Sequence, residues 1–485
     1  MRLRKLGAKI QIDGFGADSG VNYRIRSKRS FYKHDIYLFM LTAVCDGVSI
    51  PTRKIYNWGL RMSGQKDQSL RERAAKVMPQ SVFGHLGTTL LPATFPQFFE
   101  RARGAYIWDA DGKRYLDFMC AFGPNLLGYG DVRIDAAARD QMSRGDVMTG
   151  PSPLSVELAE KLVAMVSHAD WAFFCKNGTD ATTMARTISR AQTGRRKILI
   201  AEGTYHGAAP WCTPLPAGTL PEDRAHMITH IFNDIPSLEA AVAEAGSDLA
   251  AIFATPFKHE AFVNQELPDA AYAERCRELC NATGAMLVVD DVRAGFRLAR
   301  DCSWSLVGVE PDLSCWGKCF ANGYNISCVL GSDRSREGAD AIFATGSFWQ
   351  SAIPMAAALA TLDIISEGNM IEHSVCLGQC LRDGLDQASR RHGFVLNQTG
   401  PVQMPQILFD GDPDLRVGFA WTAAMVDRGF YMHPWHNMFL CAAMTQADIG
   451  EAIDAADGAF AEVRKSFASL EPHAGLLTLL SNYAH

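Results

Sequence analysis

The sequence predicts an α/β fold: a large domain on a mostly parallel central sheet, joined to a smaller α/β domain built from both chain ends. Three observations predict it. Between residues 171 and 290 short apolar strands alternate with helical stretches, the pattern of a sheet covered by helices on both faces. A helix and a hairpin precede this alternation, and a short α/β tail follows it. The 485 residues are 48% apolar and 21% charged, an ordinary globular balance that can bury a large core.

The elements follow in order. Asp67–Met78 reads as a helix stopped by Pro79. Two alternating runs, AYIW and KRYLDF, flank Asp109-Ala110-Asp111-Gly112, a hairpin signal with a glycine to take positive φ. Helices are expected at 131–144 and 152–167. Then come strand 171–175, helix 179–193, strands 197–201 and 250–254, helix 268–282 and strand 285–290. The chain turns helical again at 351–366 and 371–392. The tail holds strand 404–409, helix 417–428, strands 430–433 and 438–441, and helix 446–466, with Thr445 and Asp448 as its capping pair. This divides the chain into an extension (1–61), an N-terminal part of the small domain (62–135), the large domain (136–385) and a C-terminal part of the small domain (386–485).

Charge and composition narrow the function. Net charge is −6, so no overall basic field draws the chain to nucleic acid. Residues 1–61 differ from the rest, with 12 Lys/Arg against 4 Asp/Glu and no sustained period. That segment reads as a poorly ordered extension, as a stretch ahead of a true start at Met62, or as a targeting peptide. The last reading rests on residues 1–34, with nine Lys/Arg against two acids. The best apolar run, Tyr37–Cys45, is nine residues long, far short of the ~20 that span a bilayer. Thirteen scattered cysteines without an export signal point to reduced thiols and a cytoplasmic protein.

In a parallel α/β sheet, ligands bind beyond the carboxyl ends of the strands. After strand 171–175 comes Asn177-Gly178-Thr179, opening a helix; it is either an ordinary cap or a phosphate site of backbone N–H groups. After strand 285–290, Asp290 is a costly buried carboxylate unless it meets a cation, a helix N-terminus or one of Arg293 and Arg297. Lys318 lies in an uncharged, aromatic stretch. It is either a surface charge or a desolvated amine able to form a Schiff base. Tyr205, after strand 197–201, offers an aromatic face. Together these are the parts of a pyridoxal phosphate site.

Several stretches carry a family resemblance: Tyr106–Asp117, Asn177–Ala181, Gly203-Thr-Tyr-His-Gly207, Asp290-Asp-Val-Arg-Ala-Gly-Phe-Arg297, Gly317-Lys318 and Gly346-Ser-Phe-Trp-Gln-Ser351. From about Ser69 to about Ser466 the chain resembles the class III, fold type I aminotransferases, and within them the branch of glutamate-1-semialdehyde aminomutase. The resemblance implies pyridoxal 5'-phosphate as cofactor and a homodimer with active sites at the interface. Lys318 would hold the cofactor as a Schiff base and shuttle the proton. Asp290 would pair with the pyridinium nitrogen, and Val292 and Tyr205 would flank the ring. Asn177, Gly178 and Thr179 would hold the phosphate, and Ser347 would reach the phosphate of the neighbouring subunit.

Departures from the aminomutase cluster where substrate would sit. Phe122 stands where a Trp is usual, Ala321–Asn325 replaces a Gly-rich run, and His433-Pro-Trp-His436-Asn437 replaces a Gln-Phe-Glu region. Phe122, Arg293 and His436 are therefore the candidate substrate residues. Arg293 could clamp a carboxylate or pair structurally with Asp291 or another nearby acid. No metal site is expected from His433 and His436, which flank a loop proline. The expectation is a transaminase moving an amino group from an amine or a β-/ω-amino donor to an α-keto acid such as pyruvate. The alternatives are an aminomutase, a decarboxylase or racemase on the same scaffold, and a non-catalytic cofactor-binding or scaffold protein.

Overall fold

The computed structural model describes residues 64–82, 84, 87, 90–215 and 217–483. The expectations for residues 1–61, including the targeting segment 1–34, lie outside the described residues.

The chain opens with helix α1 (Gln65–Val77), which ends before Pro79 as its sequence predicts. Strands β1 (Phe99–Arg103), β2 (Tyr106–Asp109) and β3 (Arg114–Asp117) form an antiparallel meander. The β2–β3 turn needs Gly112 at φ 88°, and Asp109 Oδ1 accepts the N–H groups of Asp111 (3.0 Å) and Lys113 (2.8 Å) across it. β1 was not predicted: its five residues, Phe-Glu-Arg-Ala-Arg, are all exposed and carry no apolar alternation. Helices α2 (Val132–Met142) and α3 (Leu154–Met165) lead into the large sheet.

That sheet is built from β4 (Trp171–Cys175), β5 (Lys197–Ala201), β6 (Met227–His230), β7 (Leu249–Ala254), β8 (Met286–Asp290), β9 (Leu313–Trp316) and β10 (Ser327–Gly331), in the order β4-β10-β9-β8-β7-β5-β6. Only β10 runs against its neighbours; the other pairings are parallel. Interleaved are α4 (Gly178–Thr193), α5 (Ile235–Ala245) and α6 (Ala270–Thr283). Successive side chains enter opposite cores: Leu287 and Val289 of β8 join one cluster, Met286 and Val288 the other. Burial on both faces explains why the central strands, β7 and all of β8 before Asp290, are apolar at successive positions.

The remaining elements are α7 (Arg336–Ala341), α8 (Ala352–Glu367), α9 (Met370–Arg391), β11 (Leu396–Thr399), β12 (Gln406–Phe409), α10 (Arg416–Asp427), β13 (Phe430–Tyr431), α11 (Gln446–Ser466) and α12 (Ala474–Tyr483). β13 pairs in parallel with β3, Phe430 opposite Leu116, so strands from both chain ends share one small sheet. A third core, with Phe118, Trp421, Phe439 and Phe460, unites these ends. The predicted capping pair forms: Thr445 N–H donates to Asp448 Oδ2 (2.7 Å) and Asp448 N–H to Thr445 Oγ1 (3.2 Å).

One expected strand is absent. Residues 438–441 join no ladder. Met438 and Leu440 donate to the carbonyls of Pro405 and Gln403, and Phe439 donates to that of Phe118. The run is extended and buried, but its alternate N–H groups serve two different irregular segments. Its apolar pattern therefore reports burial rather than sheet pairing.

Candidate active site

The carboxyl ends of β4, β5, β8 and β9 converge on a cavity of about 320 Å³. Lys318 follows β9 after Gly317 and sits at φ 46°, a left-handed conformation that costs a non-glycine residue about 1–3 kcal/mol and concentrates at functional sites. The turn projects the amine into the cavity. Burial pulls its pKa down to about 7, and the nearby Arg293 guanidinium adds to the fall. At neutral pH much of this amine is unprotonated and nucleophilic.

Asp290 ends β8, buried, and its carboxylate is fixed. His206 donates from Nδ1 to Asp290 Oδ2 at 2.8 Å, and Val292 N–H donates to Oδ1 at 3.2 Å. A carboxylate only accepts, so the His206 proton sits on Nδ1. The imidazole is held in turn by Trp211, parallel at 6.5 Å, and by the edge of Phe253. This leaves Asp290 as an oriented acceptor facing the cavity.

The third part is the start of α4. Asn177 and Asp180 form a reciprocal capping box: Asp180 Oδ2 takes the N–H groups of Lys176 and Asn177, and Asn177 Oδ1 takes that of Asp180. The first-turn N–H groups of Gly178 and Thr179 stay available to an anion, at the positive end of the helix dipole. Thr179 Oγ1 accepts from Ala208 N–H, so its own proton is free to donate. Close packing dictates the glycines here. A Cβ on Gly178 would lie 2.7 Å from Val292 Cγ1, and one on Gly207, at φ 122°, would lie 2.7 Å from Thr179 Oγ1.

The structure thus gathers Lys318, Asp290, Asn177, Gly178, Thr179, Tyr205, Val292 and Arg293 around one cavity. The Asn177 side chain is spent on the capping box rather than turned inward. Phe122 and His436 are not cavity-lining residues; their rings meet edge-on at 5.2 Å. Ser347 is exposed and outside the cavity. Among the lining residues that the sequence reading does not name as site members are two histidines. His206 was visible in the Tyr205-His206-Gly207 motif. His259 follows β7, where the strand-end rule points, but no motif marks it.

A bound pyridoxal phosphate fits these residues. The cavity offers a depressed lysine for its aldehyde, an anchored carboxylate for its ring nitrogen and an uncommitted helix N-terminus for its phosphate.

Comparison with known proteins agrees. The class III aminotransferase profile matches residues 92–439. The aminopentol aminotransferase of Sphingopyxis macrogoltabida is 57% identical over 417 residues, covering 86% of this chain and 99% of that protein. A solved structure of the Sphingopyxis sp. MTA144 FumI protein in its PLP internal aldimine form superposes with a TM-score of 0.84 at 57% identity, over 85% of this chain and 100% of the other. The glutamate-1-semialdehyde 2,1-aminomutase of Polaromonas naphthalenivorans (strain CJ2) is 30% identical, over 82% of this chain and 96% of its own length. Fold, cavity and sequence thus converge, and the chain belongs to the class III aminotransferases, fold type I enzymes that depend on pyridoxal phosphate.

Proposed function

We propose that this aminotransferase takes its amino group from an amine without an α-carboxylate, of the aminopentol kind, and passes it to an α-keto acid such as pyruvate. The higher identity to the aminopentol aminotransferase, 57% against 30% for the aminomutase, favours this donor over glutamate-1-semialdehyde. The observation that carries the chemistry is the Lys318 amine, lowered to about 7, beside the His206-anchored Asp290 in one cavity.

Pyridoxal phosphate, when bound, supplies an aldehyde that condenses with amines and a protonated ring that stores electrons. The protein's residues do the rest. Asp290 would keep the proton on the ring nitrogen. Lys318 Nζ would hold the cofactor's aldehyde between turnovers and, once the donor amine has released it, would take the proton from the donor carbon that bears the amine. Val292 and Tyr205 would flank the ring, and Gly178, Thr179 and the Asn177-capped helix N-terminus would hold the phosphate. Phe122 and His436, packed edge-on against each other, stand outside the cavity lining.

The enzyme acts as a homodimer in this reading. Ser347 lies in an exposed segment with Phe343 and Phe348, 95% and 61% exposed, which a second copy would cover. Assignment to the cytoplasm is supported by the cysteines of the described residues, all free thiols. Among the described residues no helix is long and apolar enough to cross a membrane.

The test is a donor screen against pyruvate and 2-oxoglutarate, following pyridoxamine phosphate formation. Aminopolyols and simple amines should convert the cofactor while glutamate-1-semialdehyde does not. Conversion by glutamate-1-semialdehyde alone would restore the aminomutase reading. Sedimentation of the holoenzyme as a monomer would remove the dimer.

A further inference from the structure

Arg293 is a cation on the cavity wall that forms no salt bridge among the described residues, although the Asp290 carboxylate favours its charged form. It lies three residues beyond Asp290, half-buried, and lines the cavity with Lys318. Its Nη1 donates to the Asn437 amide oxygen, and its Nε is buried with no partner. Among the described residues no carboxylate comes within ion-pairing distance of it. The structural alternative open to the sequence, a pair with Asp291, does not form: Asp291 Oδ2 instead accepts the Ser303 N–H at 2.7 Å.

Arg297, four residues on, shows what a structural arginine looks like here. Its Nη1 and Nη2 donate to the carbonyls of Leu440 and Gly123, tying the chain ends together. Arg293 has no such role. Burial lowers its pKa to about 10, so it still carries its charge at neutral pH. A partly desolvated charge without a partner is costly unless a ligand supplies the partner.

The chemistry of its one partner matters. Asn437 accepts a hydrogen bond without cancelling charge, whereas a carboxylate there would neutralise the guanidinium. The contact fixes the side chain, and beyond it the guanidinium has no hydrogen-bond partner among the described residues. Of the groups pyridoxal phosphate brings, the start of α4 provides for the phosphate and Lys318 for the aldehyde, which leaves the ring's phenolic oxygen as the one competing anion.

We infer that Arg293 receives the carboxylate of the keto-acid acceptor, with Asn437 as the positioning residue that aims it. The inference rests on the transaminase reading above and sharpens it. A carboxylate-free donor makes no use of this charge, so Arg293 separates the two half-reactions of one cavity. The acceptor class that follows is the α-keto monocarboxylic acids.

The test uses holoenzyme with the single variants Arg293→Gln, Arg293→Lys and Asn437→Asp. The pyridoxamine-loaded enzyme is mixed with pyruvate or with pyruvamide, in which an amide replaces the carboxylate. The pyridoxal-loaded enzyme is mixed with an amine, and binding of unreactive propionate is titrated separately. Arg293→Gln should lower the ratio of pyruvate to pyruvamide kcat/KM about 100-fold. It should also abolish propionate binding. Asn437→Asp should lower the same ratio about tenfold, by competition for the guanidinium, and Arg293→Lys should restore part of the loss. Equal losses for pyruvate and pyruvamide would overturn the inference. So would a shifted visible band with unchanged pyruvate preference, because Arg293 would then serve the cofactor's phenolic oxygen. Failure of every carboxylate-free amine with the wild type would instead overturn the donor reading, while the pyruvate arm, which starts from pyridoxamine-loaded enzyme, still reports on Arg293.

Discussion

The wall that lines the cavity and the wall of packing behind Arg293 are built differently. The cofactor wall stands on regular elements: the ends of β8 and β9 and the start of α4, cross-braced by the His206–Asp290 bond and the Asn177–Asp180 capping box. The wall behind it, which does not line the cavity, is irregular. Cys120, Ala121 and Phe122 take positive φ in succession (46°, 55°, 65°), and His433–Asn437 form a buried loop without strand or helix. The first wall is braced by side-chain bonds of its own, and the other contributes Asn437 to an arginine that forms no salt bridge among the described residues. The contrast separates common chemistry on a rigid scaffold from selectivity in connecting segments.

Variants can break this comparison. Those in the cofactor wall should damage both half-reactions alike; those in the other wall should damage one. The largest effect belongs to Lys318→Ala, which should lower kcat at least about 1,000-fold. Cofactor should remain bound through the helix N-terminus. Borohydride should fix the cofactor at Lys318 in the wild type and nowhere in the variant, and mass spectrometry showing another labelled lysine would remove Lys318 from the mechanism. Asp290→Asn comes next. It replaces the buried carboxylate with an amide that cannot hold a protonated ring nitrogen, and both half-reactions should slow about 100-fold or more. A loss confined to one half-reaction would show that the two walls are not separate.

Gly178→Ala tests the packing beneath the cofactor. The added methyl would meet Val292 Cγ1 at 2.7 Å, and relief of that overlap should cost about 1–3 kcal/mol. A lower melting temperature and faster cofactor loss on dialysis are expected together. A variant as stable and as well loaded as the wild type would mean that Val292 yields freely.

The smallest effect connects the walls. Burial, and after it Arg293, lowers the Lys318 pKa to about 7, so the amine loses its proton as pH rises through that value. Capture of pyridoxal phosphate by apoenzyme should therefore accelerate up to about pH 7 and level off above it. An unperturbed lysine would keep accelerating toward pH ~10. Arg293→Gln removes a nearby positive charge and should move the break upward by about one unit or less. A break that stays put would show that burial alone sets the amine.

The same contrast governs what the sequence discloses. β4, β5, β7 and β8 are apolar runs bounded by helices, and the rule that ligands gather beyond strand ends led from them to Asn177–Thr179, Tyr205 and Asp290. β9 and β10 were missed. Leu-Ser-Cys-Trp and Ser-Cys-Val-Leu-Gly are short, and they carry small polar residues whose place in a sheet is decided by neighbours. β6 fell in a long connection for the same reason. On the other wall, nothing local in Phe122 or Asn437 announces a shared surface. More than 300 residues separate them, and their proximity is a property of the whole fold. Arg293 is legible as a residue of interest, but the sequence does not show that it forms no salt bridge among the described residues, which is what motivates its proposed role.

The parallel pairing of β3 with β13 bears on how the enzyme is made. The large sheet has all its strands once residue 331 has been synthesised, whereas the small sheet waits for Tyr431 to return to Asp117. Contacts that distant close slowly, and domains tend to fold in the order in which they emerge. A nascent chain therefore presents the phosphate-binding helix end and Lys318 about a hundred residues before its last strand exists. Cofactor present during translation can stabilise that partly made protein by mass action, so vitamin supply during expression should raise the yield of folded enzyme as well as its occupancy.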